Sequence, residues 1–156
     1  IVAPYVPSNS GSVGSDGTVV PYTVSPGDSA DLRLFQGFIT FDISSLPHNA
    51  TVIDARLSLG PSTEWGDGGV EQFLIRNHQY GNLDKYDFGT DGSVLGTVSK
   101  PGLDAPLDVT DTVQAQVGQS YYQVRLQPLV GDLDSTADHF TFSAPTLTIL
   151  YKSVYK

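Results

Sequence analysis

A chain of 156 residues with no Cys, no Met and a formal charge of −9 excludes several functions before any motif is read. Without Cys there is no thiolate metal site, thiol nucleophile or redox dithiol. Fifteen Asp and two Glu against four Lys and four Arg repel a phosphate backbone, so nucleic acid is not an expected partner, and no apolar run reaches the ~18 residues of a membrane span.

The length suits one domain with a sizeable core, and 16 Gly, 10 Pro and 8 Tyr fit a turn-rich all-β chain. Ile1–Pro7 is apolar but broken by Pro4 and Pro7, which makes it an edge or terminal strand. Ser8–Thr18 (SNSGSVGSDGT) has the composition of a flexible Ser/Gly linker. The expected division is therefore 1–18 as strand and linker, and 19–156 as the folded domain. Val19–Val24 is a short edge-like strand around Pro21, and Ser25–Asp31 is turn chemistry.

Phe35–Pro61 carries the clearest pattern. Gly37, Ile39, Phe41 and Ile43 share one face, and Ile53, Ala55, Leu57 and Leu59 share another. Strict alternation predicts two half-buried strands, read as the central strand pair of a sandwich, joined by the polar Ser44–Asn49. Pro61–Gly69 is expected as an exposed loop holding Trp65, and Gln72–His78 alternates again with Phe73 and Ile75 on one side. Tyr80–Phe88 is irregular and aromatic, and Asp91-Gly92 signals a hairpin before Ser93–Val98. Asp108–Gly118 is the one helix candidate, with Val113 and Val117 at i and i+4 and Gly118 as a stop. Tyr121–Leu126, Thr141–Phe142 and Pro145–Tyr151 complete a set of about nine to eleven short strands.

Five stretches taken in order, FDISSLPHNATVIDARLSL, NHQYGNLDKYDFG, LDVTDTVQAQVG, YYQVRLQ and APTLTILYK, resemble the DNRLRE (disaggregatase-related) domain of secreted bacterial and archaeal proteins. Carbohydrate-binding modules appended to alginate lyases are similar. The likeness spans about Leu32 to Lys152, and its most specific part is FDIS-x-LP followed by A-x-L-x-L. It implies a jelly-roll β-sandwich of two antiparallel sheets, secreted and without catalytic residues of its own. The polysaccharide-binding members imply a basic, aromatic site.

The residues themselves offer little catalysis. His48, His78 and His139 fall on different elements, and no G-x-S-x-G is present. Gly66–Gly69 leads into a strand pattern, so it reads as a turn and not a phosphate cradle. Among 17 acids a chance carboxylate pairing is certain, so Glu64 and Glu71 near Trp65 carry no weight as a glycosidase pair. The chain is not expected to be an enzyme.

Four binding features are candidates. Asp132, Asp134 and Asp138 alternate in GDLDSTAD, which suits either a Ca2+ site or a solvated acidic loop. Trp65, Tyr80 and Tyr86, with Arg76 nearby, could stack on and hold a polysaccharide, or the tyrosines could cap the core. Asn49-Ala50-Thr51 is an N-glycosylation sequon in a predicted surface turn. Finally, the apolar arm of Ile1, Val2, Ala3, Tyr5 and Val6 could close its own sandwich or add to the sheet edge of the next copy. A head-to-tail addition does not close, so it propagates as a fibre. The expectation is a secreted, cell-surface structural subunit that forms a homopolymer, with carbohydrate binding as the alternative.

Overall fold

The structure is a computed structural model, which describes residues 1–28, 33–65, 70–89, 92–99, 106–130 and 139–153. In chain order the strands are β1 (Val2–Ala3), β2 (Gly11–Gly14), β3 (Val19–Pro21), β4 (Gly27–Asp28), β5 (Leu34–Asp42), β6 (Thr51–Ser58) and β7 (Ser62–Trp65). They continue as β8 (Val70–Asn77), β9 (Ser93–Ser99), β10 (Leu107–Asp108), β11 (Tyr121–Val130), β12 (His139–Phe142) and β13 (Thr146–Lys152). One helix, α1 (Thr110–Ala115), lies between β10 and β11, and short 3-10 turns occupy Pro7–Asn9 and Lys85–Asp87.

The fold is the expected all-β sandwich with one short helix. A first sheet runs β1-β13-β6-β10, and a second, larger sheet runs β7-β12-β4-β5-β11-β8-β9, with β2 and β3 attached beside β5. Every pairing within the two sheets is antiparallel. The alternating strands bury the faces their sequence announces. Phe73 and Ile75 of β8, Tyr122, Val124 and Leu126 of β11, and Leu147 and Ile149 of β13 all meet in one core.

Four expectations change. First, β5 and β6 are not a strand pair. β5 pairs with β11, β2 and β4, whereas β6 pairs with β13 and β10 in the other sheet. Their inner faces oppose each other across the core. The segment between them is a crossover with two tight turns, in which Leu46 N–H donates to the Ile43 carbonyl and Ala50 N–H to that of Pro47. Leu46 and Ala50 are buried, so this crossover plugs one end of the sandwich.

Second, Ile53 faces solvent, 53% exposed, and Val52 takes the core position. A register shift between Leu150 and Tyr151 leaves Asp54 opposite Leu150 and Val52 opposite Tyr151, so Ile53 is the extra residue of a β-bulge. On the other side of the bulge α1 completes the hydrogen bonding. Val52 N–H donates to Gln114 Oε1 at 2.7 Å and Ala55 N–H to Thr110 Oγ1 at 3.0 Å. Tertiary use also shortens the helix to Thr110–Ala115. Asp108 ends β10, and its Oδ1 accepts from Thr110 N–H (3.0 Å) and from Thr110 Oγ1 (2.6 Å). Those hydrogen bonds hold the Asp108 carboxyl below its usual range.

Third, the segment read as a flexible linker contains β2, buried throughout and hydrogen-bonded to both β3 and β5. Glycine lets this strand approach closely. A Cβ on Gly11 would meet Leu83 Cδ2 at 2.9 Å and Pro21 Cα at 3.0 Å. The serines act as buried adaptors. Ser10 Oγ donates to the Val6 carbonyl (2.8 Å) and accepts from Thr40 N–H (3.0 Å), while Ser12 Oγ donates to the Thr23 carbonyl (2.6 Å).

Fourth, Ser62–Trp65, expected as loop, is an edge strand paired with β12.

Candidate functional site

The N-terminal arm lies on the edge of the first sheet. The amino group of Ile1 donates to the Ile149 carbonyl at 2.7 Å, and Ile149 N–H donates to the Ile1 carbonyl at 2.7 Å. Val2 then faces Thr148 and Ala3 faces Leu147. Only Ala3 enters the core. Ile1 is 46% and Val2 65% exposed. Pro4 ends the pairing, since it has no N–H to offer. From there the chain crosses to the second sheet. The Pro4 carbonyl accepts from Asp42 N–H (2.8 Å), Val6 N–H donates to the Thr40 carbonyl (2.9 Å), and the Tyr5 ring packs tilted against Phe41 at 6.3 Å. Burial pushes the Tyr5 phenol above its ordinary pKa. In the single chain, then, the arm straps the two sheets together along one side. β1 is the last strand of its sheet, with no partner on its outer edge among the described residues.

The candidate sugar-binding residues do not converge. Tyr80 is turned inward, where its hydroxyl donates to the Asn9 carbonyl (2.8 Å) and shares a 2.6 Å hydrogen bond with Thr40 Oγ1. Its ring packs edge-on against Phe38 at 5.3 Å, and burial drives its phenol pKa up. Tyr86 points the other way, 80% exposed, with Lys85 Nζ 5.1 Å from its ring centroid. Arg76 is half-buried and committed to Gln127 Oε1 (3.1 Å) and the Gly92 carbonyl (3.0 Å). The Trp65 backbone faces His139 in the β7–β12 pair, and its side chain lies outside the described residues.

Asp132, Asp134 and Asp138 also lie outside the described residues. Among the described residues no group of three or more His, Asp or Glu side chains could hold a metal ion. Asn49 and Thr51 of the sequon are both exposed at the end of the β5–β6 crossover.

Sequence reasoning missed a buried polar layer on the outer side of the second sheet. Thr40, Gln123 and Arg125 alternate with core residues and read as a solvent face, yet all three are buried. The segment 78–89 covers them. Gln123 Nε2 donates to Thr40 Oγ1 (3.0 Å) and to the Gly81 carbonyl (2.8 Å), and its Oε1 accepts from Gly81 N–H (2.8 Å). Gln36 exchanges two hydrogen bonds with the Gly89 backbone. Arg125 Nη1 lies 3.1 Å from His78 Nδ1. The sequence hint was Tyr80 in the aromatic Tyr80–Phe88 stretch; the other covering partners are the Gly81 and Gly89 backbone groups, which side-chain patterning does not report.

A shallow cleft of about 330 Å3 opens between β9 and the start of α1, lined by Val94, Leu95 and Asp108–Thr112. Its Asp108 carboxylate already serves Thr110 and lies 3.8 Å from Arg56 Nη2.

Compared with family models and with curated proteins, the chain matches none. No helix among the described residues is long and apolar enough to cross a membrane.

Proposed function

We propose that this protein is a secreted, non-catalytic structural subunit that assembles into an extracellular fibre or surface layer by donating β1 to the β13 edge of a neighbouring copy. The observation that carries this reading is how β1 is held. It rests on main-chain hydrogen bonds at a sheet edge, it commits only Ala3 to the core, and it precedes a proline at which the chain leaves the sheet. Strand addition draws its affinity from the same main-chain bonds whichever copy supplies the strand. The seat on β13 therefore offers a neighbour's β1 the same bonds; the tethered strand holds the advantage of its high effective concentration, which mass action offsets as the protein is concentrated.

Each copy that gives its strand forward and receives one from behind makes a contact that does not close. The formal −9 opposes that approach at low salt and is screened at physiological ionic strength.

Light scattering and electron microscopy of the purified full chain test the reading. Filaments that vanish on deletion of residues 1–7 are expected, and multimers that survive the deletion unchanged overturn it. The carbohydrate-binding alternative draws on Tyr86, the exposed aromatic beside Lys85. Glycan-array binding that is lost in Tyr86→Ala would support it, and an array with no signal would remove it.

A further inference from the structure

The N-terminal arm is rooted further along the chain than β1. Among residues 1–8 only Ala3 is buried, whereas Asn9 is held by four hydrogen bonds. Its Nδ2 donates to the Gly81 carbonyl (2.7 Å), its Oδ1 accepts from Leu83 N–H (3.1 Å), and its carbonyl accepts from Thr40 Oγ1 (2.8 Å) and from the Tyr80 hydroxyl (2.8 Å). An arm that detaches therefore swings from Asn9. Its eight residues extend about 25 Å, whereas the three of β1 alone extend about 10 Å, two strand spacings. Residues 4–6 thus travel with β1 when the strand reaches for another copy.

The seat they occupy has two parts. On the first sheet Ile149 exchanges two hydrogen bonds with Ile1, and Thr148 and Leu147 face Val2 and Ala3. On the second sheet Asp42 N–H donates to the Pro4 carbonyl (2.8 Å), and the Thr40 carbonyl accepts from Val6 N–H (2.9 Å). These are main-chain contacts, which supply affinity without choosing a sequence.

The choice lies in the two side chains that face inward. Ala3 is 2% exposed and belongs to the core, where its facing residue Leu147 is fully buried. A close-packed core that fits a methyl group has to be pushed apart for a longer side chain. Two residues on, Tyr5 lays its ring against Phe41 at 6.3 Å and packs on the same core. Val2 and Pro4 face solvent. Pro4 acts through the backbone, since its fixed φ and missing N–H suit a chain that leaves one sheet for the other.

We propose that the seat of the arm is a peptide-binding site spanning both sheets, which selects an extended segment with a small residue, a proline and an aromatic residue in succession, the Ala3-Pro4-Tyr5 of a second copy. The proposal rests on strand donation as the route of assembly and adds which side chains decide the donor.

Covalent capture in the full chain tests it. Thr148→Cys puts a lone thiol where Val2 of a seated arm lies, and Ala3→Leu in the same chain makes its own arm the poorer fit, which opens the seat. Three synthetic peptides of residues 1–6, each with Val2→Cys, are offered in a glutathione redox buffer: the arm sequence, the same with Ala3→Leu, and the same with Tyr5→Ala. Mass spectrometry reads the mixed disulfide, whose equilibrium yield follows how well the peptide is seated. The arm sequence should be captured at least ~10-fold more than the Ala3→Leu peptide and ~5-fold more than the Tyr5→Ala peptide, and more by this chain than by Thr148→Cys alone. Equal capture of the three peptides, or capture no greater than that of free cysteine, overturns the proposal. Capture needs no multimers, so the two readings separate. Selective capture by a chain that makes no filaments keeps the seat and sinks strand donation as the route of assembly, whereas filaments with indiscriminate capture do the reverse.

Discussion

A cross-strand disulfide between positions 2 and 148 turns the seat of β1 into a measurement. Ile1 and Ile149 exchange both of their backbone hydrogen bonds, so the next facing residues, Val2 and Thr148, form a non-hydrogen-bonded pair. Such pairs hold their Cα atoms about 4.5 Å apart, within the span a disulfide bridges without distortion. Both side chains point to solvent, and the chain has no Cys of its own to compete. Val2→Cys with Thr148→Cys should therefore oxidise spontaneously and within one chain. Closing a loop of roughly 150 residues restricts the unfolded chain by about 5 kcal/mol in the chain-entropy account. For a domain of this size that corresponds to a rise in melting temperature of roughly 10–20 °C. The assay is a thermal melt followed by circular dichroism, oxidised against reduced. Equal melting temperatures would show that β1 does not sit on β13, and the account of the arm would fall. The same sample then tests donation. Oxidised as a dilute monomer, the strand is locked in its own chain and cannot be given away, so concentrating that sample should give no multimers until it is reduced. Multimers formed by the monomer-oxidised protein without interchain disulfides would refute strand exchange.

Three further outcomes are expected. The Tyr122 phenol is buried, hydrogen-bonded to Thr112 Oγ1 at 2.7 Å, and pushed up to about 12, chiefly by burial. Its neutral form is favoured in the folded state, so that stability is complete below pH 10 and is lost as pH rises from 10 to 12, by about 3 kcal/mol. Urea unfolding across that range should show the fall, and Tyr122→Phe should shrink it by that amount, leaving the part that comes from the buried Tyr80 and Tyr5 phenols. Tyr80→Phe removes a buried hydroxyl from Thr40 and the Asn9 carbonyl and should lower stability by about 1–2 kcal/mol in urea titration; no change would mean that segment 78–89 is held by other contacts. Gly60 has φ +71°, and a Cβ there would collide with the Ala144 carbonyl oxygen. Gly60→Ala should therefore cost about 1–3 kcal/mol, read from the unfolding midpoint.

Alternation in the sequence reports which face a residue occupies, and it does so well wherever a strand has one apolar side. Phe73 and Ile75, Tyr122 to Leu126, and Leu147 with Ile149 were legible for that reason. Alternation says nothing about which strand lies alongside. β5 and β6 look like consecutive strands of one sheet, and only the crossover through Leu46 and Ala50 reveals that they belong to opposite sheets. A period of two also assumes an unbroken ladder, so the bulge at Ile53 was invisible until Leu150 and Tyr151 fixed the register. Composition misleads differently. Ser and Gly make a flexible linker when nothing approaches them, and they make β2 when Leu83, Pro21 and β5 do. The same letters serve both outcomes, and the tertiary neighbours decide.

The candidate assembly residues follow the same logic. Ile1, Val2 and Ala3 read as a strand from their apolar run, but the sequence could not say whose edge they join. In the single chain they join β13, and the weakness of that attachment follows from three residues and one buried methyl group. Backbone ordering costs about 1–2 kcal/mol per residue, so three residues offset most of what a few edge hydrogen bonds and Ala3 contribute. A strand held that close to balance can be replaced by an identical strand from elsewhere. The sheet it sits on is also the one whose outer side is open, whereas β5 is flanked by β2 and β11 and roofed above.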